Sequence, residues 1–591
     1  MSPQKERLLP TGQETVKNME YKPKNVICQN CKKDFIIEPD DFSFYEKIKV
    51  PPPTFCPECR MIRRMVWRNV RSLNKRECGL CSKSLISMYS DKEAPVYCTE
   101  CFYGDKWDQF ATGADYDFSK TFFDQFSLLL SRAPRFFNYR SGNLINSDFS
   151  NYSVDNKNVY LSFSTVENED VMYSEVIDKS KNSFDCYAVQ KVDNCYQNID
   201  CEGNYNISYA VKSRNCIDSY FIYDCVNCQN CCLSFNLRNK KYFFKNKKLS
   251  KEEYEKELNN LKLNTYLGAE KASIDFEDIL QHKAIHRFSQ VYNSQKVSGD
   301  YVGNSKNIYK SFDVQNSENI KYSVRVILNT KESMDLQGLG SGELIYESVA
   351  ASLNTYKDYF CYITLGCRDC EYSCVLRNCA YCFGCVGLTN AKYCILNKEY
   401  KEEDYFEIVE KIKKHMIEMP YVDIKGRIFG YGEFFPYNLS PFGYNETNAH
   451  DFFCISKEKA IEMGYKWRDK EKRDYSISID SKDLPDNILD TSESILNEII
   501  GCPNNGNSDF QCTNAYRIMS EELQFYRLKN LPLPRYCPNC RHYQRLKYRN
   551  PLKLWHRKCM NENCQNEFET SYAPERKEIV YCEKCYQQEV I

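Results

Sequence analysis

Asn182-Ser-Phe-Asp-Cys-Tyr-Ala-Val-Gln-Lys-Val-Asp-Asn194-Cys-Tyr-Gln-Asn-Ile-Asp-Cys-Glu-Gly-Asn-Tyr-Asn206 returns to asparagine at each step of twelve residues. Upstream the same step reaches Asp170 and Asn158. An aromatic follows two residues later at Tyr160, Phe184 and Tyr196, and at Tyr309 in a second array. The second array starts near Asn307 and continues at Asn319 and Lys331. One step of eleven then reaches Gly342, and the period resumes with Asn354, Gly366, Asn378 and Asn390. Short repeats of β-branched, aromatic and cysteine residues, punctuated by Asn, Asp and Gly, predict a β-solenoid. Asn suits its turns because it tolerates the left-handed conformation. One coil is either one twelve-residue repeat or a pair of them.

Each array ends alike. Asn239-Lys-Lys-Tyr-Phe leads to a charged helix predicted over 251–262, and Asn390-Ala-Lys-Tyr-Cys to one over 402–415. These helices are expected to cap an open sheet edge. The matching ends make the solenoid a duplication. Within the arrays, Cys225-x2-Cys228-x2-Cys231-Cys232 and Cys379-x2-Cys382-x2-Cys385 look like iron–sulfur ligand runs. Yet Cys370, Cys382 and Cys394 are twelve apart, as are Cys367 and Cys379, and Cys216 and Cys228. That spacing predicts ladders of small side chains inside the coil, where free Cys packs as a hydrophobe. A metal or redox role is the competing reading.

The flanks hold a second duplication. The first cysteine group is Cys28-x2-Cys31, Cys56-x2-Cys59, Cys78-x2-Cys81 and Cys98-x2-Cys101. The last is Cys502-x9-Cys512, Cys537-x2-Cys540, Cys559-x4-Cys564 and Cys582-x2-Cys585. Twenty-four residues separate Cys31 from Cys56 and Cys512 from Cys537; eighteen separate Cys59 from Cys78 and Cys540 from Cys559. Phe44-Tyr45 aligns with Phe525-Tyr526, Pro51 and Pro53 with Pro532 and Pro534, and Val96-Tyr97 with Val580-Tyr581. Two Cys-x-x-Cys knuckles complete a tetrahedral, all-cysteine site of the structural kind. Four zinc ions are therefore expected, with adjacent pairs sharing a metal; interleaved pairing and iron are the alternatives. The Gly/Asn-rich loop between Cys502 and Cys512 departs from the tight knuckle.

After the second pair of each module comes a basic segment. Arg60, Arg64 and Arg68 recur at helical spacing, and their duplicates are Arg541, Arg545 and Arg549, followed in both copies by Asn69 and Asn550. Trp67, Tyr543, Tyr548 and Trp555 are interleaved with them. One reading is phosphate contact with aromatic stacking, which makes these six arginines a nucleic-acid face, RNA before DNA. The other is compensation of the negative zinc–thiolate centres, with a protein partner on the solenoid.

Other chemistry finds little support. Net charge is −1, so no global field draws the chain to nucleic acid or anionic membrane. Residues 1–25 are polar with no apolar stretch after a basic start, unlike an ordinary secretory signal. No run approaches the length of a membrane-spanning helix. A cytoplasmic setting follows as an expectation, in which Cys-x-x-Cys pairs read as metal sites. His282 and His286 lack a His-Glu-x-x-His context, and Gly338-Leu-Gly-Ser-Gly342 lacks the Walker lysine.

The chain resembles the long zinc-ribbon proteins of candidate-phylum bacteria. The likeness rests on Val50-Pro-Pro-Pro-Thr-Phe-Cys56-Pro-Glu-Cys59-Arg60 through Arg68-Asn69, on Tyr97-Cys98 with Lys106-Trp107-Asp108, and on Leu533-Pro-Arg-Tyr-Cys537-Pro-Asn-Cys540-Arg541-His542. It spans essentially the full length and brings no activity with it. Some members carry a CoA-transferase label, for which no residue pattern stands here.

The expected fold is mainly β with short helices. Segments run as a polar tail (1–25), double zinc ribbon (26–110), helical connector (111–145), solenoid with cap helix (146–262), connector (263–297), and second solenoid with cap (298–418). An aromatic arm and acidic linker (419–497) and a second double zinc ribbon (498–591) follow. The expected function is a non-enzymatic zinc scaffold that binds nucleic acid; a protein-binding scaffold and a solenoid-groove enzyme are the alternatives.

Overall fold

In the first array the backbone turns left-handed at every third residue. Asn206, Tyr209, Lys212, Asn215, Asp218, Phe221 and Asp224 all have φ between 48° and 63°. The residue after each corner points inward: Ile207, Ala210, Ser213, Cys216, Ser219, Ile222 and Cys225 are fully buried. Four such corners fall in every twelve residues. Successive coils pair in parallel, with Tyr205 opposite Ile217, Ile217 opposite Gln229, and Gln229 opposite Lys241. Paired residues are thus twelve apart along the chain. A residue with a Cβ is strained at such a corner by about 1–2 kcal/mol, least so for Asn and Asp. The asparagines also bond upward from coil to coil: Asn194 Nδ2 donates to Asn206 Oδ1 at 3.1 Å, and Asn206 Nδ2 to Asp218 Oδ1 at 2.7 Å.

The computed structural model describes residues 21–90, 94–469, 475–507 and 509–591; most of the expected polar tail, residues 1–20, lies outside them. The fold is mainly β with short helices. A first parallel stack runs from Arg140–Ile145 to Lys241–Phe244, and a second from Val291–Tyr292 to Lys392–Ile395. The expected step of eleven between Lys331 and Gly342 does not occur. Lys331 faces Glu343 twelve residues on, while Glu318 faces Lys331 and Gly342 faces Thr355 at thirteen. Each longer coil carries its extra residue at a corner with two consecutive left-handed residues, Leu328-Asn329 and Leu353-Asn354.

Both stacks close with a short antiparallel return. Lys241–Phe244 turns back to Lys247–Lys248, and Lys392–Ile395 to Lys398–Glu399. Helices Lys251–Asn260 and Glu402–Glu418 follow, the second running past the expected 415. The segment 111–145 holds one helix, Phe122–Arg132, and its end, Arg140–Ile145, is already a strand of the stack. Between the stacks, helix Tyr266–His282 precedes Val291–Tyr292. In the arm, Phe434, Phe435 and Tyr437 are buried, and Phe435 lies 4.7 Å from the Trp67 ring. The acidic stretch after it also packs, burying Leu484, Ile488 and Ile495 beside Leu523 and Tyr526.

The terminal modules cross over. Helix Pro57–Met65 of the N-terminal module lies against strands Lys331–Leu339 and Tyr346–Val349 of the second stack. Helix Pro538–Leu546 of the C-terminal module lies against the first stack, where Arg545 reaches Asp185 and Tyr173. Each module then adds one strand near the start of the other stack: Val96–Tyr97 pairs with Arg135–Phe136, and Ile579–Tyr581 with Ile285–Arg287. Each module therefore grips both stacks. No helix among the described residues is long and apolar enough to cross a membrane.

Candidate metal centres and the arginine helices

Four cysteine groups come together: Cys28, Cys31, Cys56 and Cys59; Cys78, Cys81, Cys98 and Cys101; Cys502, Cys512, Cys537 and Cys540; Cys559, Cys564, Cys582 and Cys585. Within each group the sulfurs all lie within 4.8 Å of one another, so each could hold a metal ion. Adjacent pairs share a centre, and the interleaved arrangement is absent. None of the 33 cysteines is in a disulfide.

The four centres repeat one design. Cys56, Cys98, Cys537 and Cys582 each stand at the N-cap of a helix. There the free backbone amides and the positive end of the helix dipole favour a thiolate. Each of these residues also donates its backbone N–H to the first cysteine of its group: to Cys28 at 3.2 Å, Cys78 at 3.3 Å, Cys502 at 3.4 Å and Cys559 at 3.3 Å. Across the centres, Cys31 and Cys56 sulfurs are 3.7 Å apart, Cys81 and Cys98 3.8 Å, Cys502 and Cys540 3.8 Å, and Cys564 and Cys582 3.8 Å. The long loop after Cys502 leaves it in place, and Asn504 Nδ2 donates to Cys540 Sγ at 3.1 Å as Asn30 does to Cys59 at 3.3 Å.

The helix that starts on the first centre of each module carries the arginines. The expectation of an outward nucleic-acid face is corrected here. Arg60, Arg64 and Arg68 are 1%, 0% and 4% exposed, Arg541 and Arg545 are 3% and 1%, and the Arg549 side chain is 7%. Arg60 meets Asp335 at 2.9 Å; Arg64 meets Asp335 at 2.9 Å and Glu347 at 3.3 Å. Arg63, outside the expected set, bridges Glu347 at 2.9 Å and Glu433 at 2.8 Å. In the other copy, Arg541 meets Glu522 at 3.1 Å and Asp185 at 3.4 Å, and Arg545 pairs with Asp185. Arg64 and Arg545 make the same further bond, to the carbonyls of Tyr322 and Tyr173. The guanidinium groups bind carboxylates and carbonyls of the stacks, together with Glu433 of the arm and Glu522 and the Phe55 carbonyl of the modules themselves.

Arg68 and Arg549 lie beyond the helices, and each touches both stacks. Arg68 lies 4.1 Å from the Tyr152 ring and bonds the Gly338 carbonyl. Arg549 pairs with Asp200 at 3.1 Å and Asp313 at 2.6 Å. Burial pushes the Glu347 carboxyl up while Arg63 and Arg64 pull it down, and burial likewise raises Glu522 against Arg541. Burial opposes the charge on Arg60, yet Asp335 and its neighbours hold that guanidinium firmly protonated.

Sequence reading missed the acidic partners. Asp185, Asp200, Asp313, Asp335 and Glu347 are all left-handed corner residues, so their signal was an acid at a corner position, visible only once the three-residue period is known. The array cysteines form ladders, with Cys370 opposite Cys382 and Cys382 opposite Cys394. Their thiols donate to carbonyls two residues back, as Cys370 does to Arg368 at 3.4 Å and Cys225 to Tyr223 at 3.5 Å. Among the described residues, these thiols form no further group within metal-ligating distance. His286 is buried between Tyr223 and Tyr572; its Nε2–H donates to the Leu280 carbonyl at 2.8 Å and its Nδ1 accepts from the two hydroxyls at 2.7 Å and 3.0 Å, and burial pulls its pKa down to about 3.

No protein-family model matches the chain, and no curated protein sequence matches it.

Proposed function

We propose that the protein is a zinc-dependent scaffold, in which four structural zinc ions seat two double zinc ribbons across two β-solenoids. The observation that carries this reading is the path from metal to clamp. The cysteine that closes each first centre caps the helix whose arginines enter the acidic corners of a stack. The sulfur separations support a tetrahedral four-thiolate metal site, since bonds of about 2.3 Å place sulfurs about 3.8 Å apart, and zinc is the usual ion of a closed all-cysteine structural site. The twelve-residue parallel register and the inward ladders support the solenoid. The free thiols fit a reducing compartment such as the cytoplasm.

A groove enzyme is disfavoured by the same contacts. The corner carboxylates of Asp335, Glu347 and Asp185 are fully buried and held by arginine, and so do not face a groove. Metal analysis of the purified chain tests the proposal. Four zinc ions per chain are expected, and Cys59→Ser should lose one of them and lower Tm. Iron in place of zinc, or four ions retained in Cys59→Ser, would overturn it.

A further inference from the structure

The closing returns of the two stacks are equivalent residue by residue. Asn246 and Asn397 each bond both backbone groups of a residue in the coil below, Phe235 and Val386 respectively. Lys247 occupies the place of Lys398, opposite Phe244 and Ile395. Their surroundings differ. On the second stack a strap that follows the N-terminal module crosses the return. Ala114 donates its N–H to the Leu396 carbonyl at 3.2 Å, and Asp115 accepts from Lys398 at 2.6 Å and from Tyr400 at 3.1 Å. Gly113 lies so close that a Cβ there would fall 2.5 Å from the Asn397 oxygen. Asn397 is consequently 1% exposed.

Among the described residues no such strap crosses the first stack, and no backbone N–H is donated to the Lys245 carbonyl as Ala114 donates to Leu396. Asn246 there is only half-buried, and Lys240, Lys241, Lys247 and Lys248 are exposed. These four make no ion pair among the described residues, whereas Lys245 is held by Asp275 at 2.8 Å. From Asn239 to Ser250 there is no acidic residue. The interior needs no plug: Phe243 packs on the inner ladder, as Phe110 of the strap does on the second stack.

We propose that this return is a docking site for an extended acidic segment of a partner protein, which lies across it as residues 113–115 lie across the second stack. Lys247 takes the partner's carboxylate as Lys398 takes Asp115, and Lys241 and Lys248 add to the positive field. Lysine on an edge strand also discourages edge-to-edge aggregation, but that purpose requires no surface shaped like a covered one.

A fluorescein-labelled peptide of residues 106–118 is a suitable probe, followed by anisotropy against the full-length, metal-loaded chain. Saturable binding is expected, weakened about fivefold or more in a Lys247→Glu, Lys248→Glu variant and in a peptide carrying Asp115→Lys. The variant should keep the metal content and Tm of the parent, which separates this test from that of the scaffold. Absence of saturable binding, equal binding by the variant, or binding of a short oligouridylate that the peptide fails to displace would overturn the proposal.

Discussion

Arg64 shows how charge is used in this molecule. Its guanidinium is fully buried between Asp335 and Glu347 and also bonds the Tyr322 carbonyl. Removing one partner of such a cluster leaves carboxylates buried without compensation, which costs about 3–5 kcal/mol. Arg64→Met should therefore lower stability by that order in chemical denaturation. Because water and salt do not reach the pair, the loss should be nearly the same at low and high ionic strength. A loss that vanishes in high salt would mean that the pair is exposed. The residue types and their spacing were legible in the sequence, and so was their duplication. Their direction was not: basic residues on a short helix look alike whether they face phosphate or a buried acid. The acids that decide it, Asp335 and Asp185, stand 275 and 356 residues from Arg60 and Arg541.

At the scale of the coil, the twelve-residue step was visible because Asn recurs at one corner in four. The three-residue step beneath it was hidden, since Tyr209, Phe221 and Leu233 occupy left-handed corners that such side chains rarely adopt. Inward ladders and parallel pairing hold them there. The recurrence of an aliphatic, Ser or Cys residue at every third position, from Ile207 to Cys225, was the available signal. It also accounts for the cysteines: the inward ladders hold one buried side chain at every third position, and Cys fills it as a small hydrophobe. Asn227 sits at a corner with φ 54° and donates to Asn239 at 3.1 Å. Asn227→Val should destabilise the chain by about 1–2 kcal/mol, and Asn227→Gly by less, as read by thermal or urea unfolding. Equal losses would show that the side-chain ladder, not the backbone conformation, sets the cost.

For the whole molecule, the two ends of the chain are brought together by exchange. The N-terminal module clamps the second stack and the C-terminal module the first, while Arg68 and Arg549 each span both. The cysteine spacing made the centres legible, because a knuckle is a local structure. The crossing over was not, because no spacing encodes which stack a module meets. The most direct test is hydrogen–deuterium exchange with and without a zinc chelator, read at helices Pro57–Met65 and Pro538–Leu546 and at strands Ile217–Tyr223 and Cys374–Arg377. The account predicts slow exchange everywhere in the metal-loaded chain, and fast exchange of both helices, with the strands still protected, once the metal is removed. Helices that exchange fast with metal bound, or stay protected in a chain stripped of all metal, would contradict it.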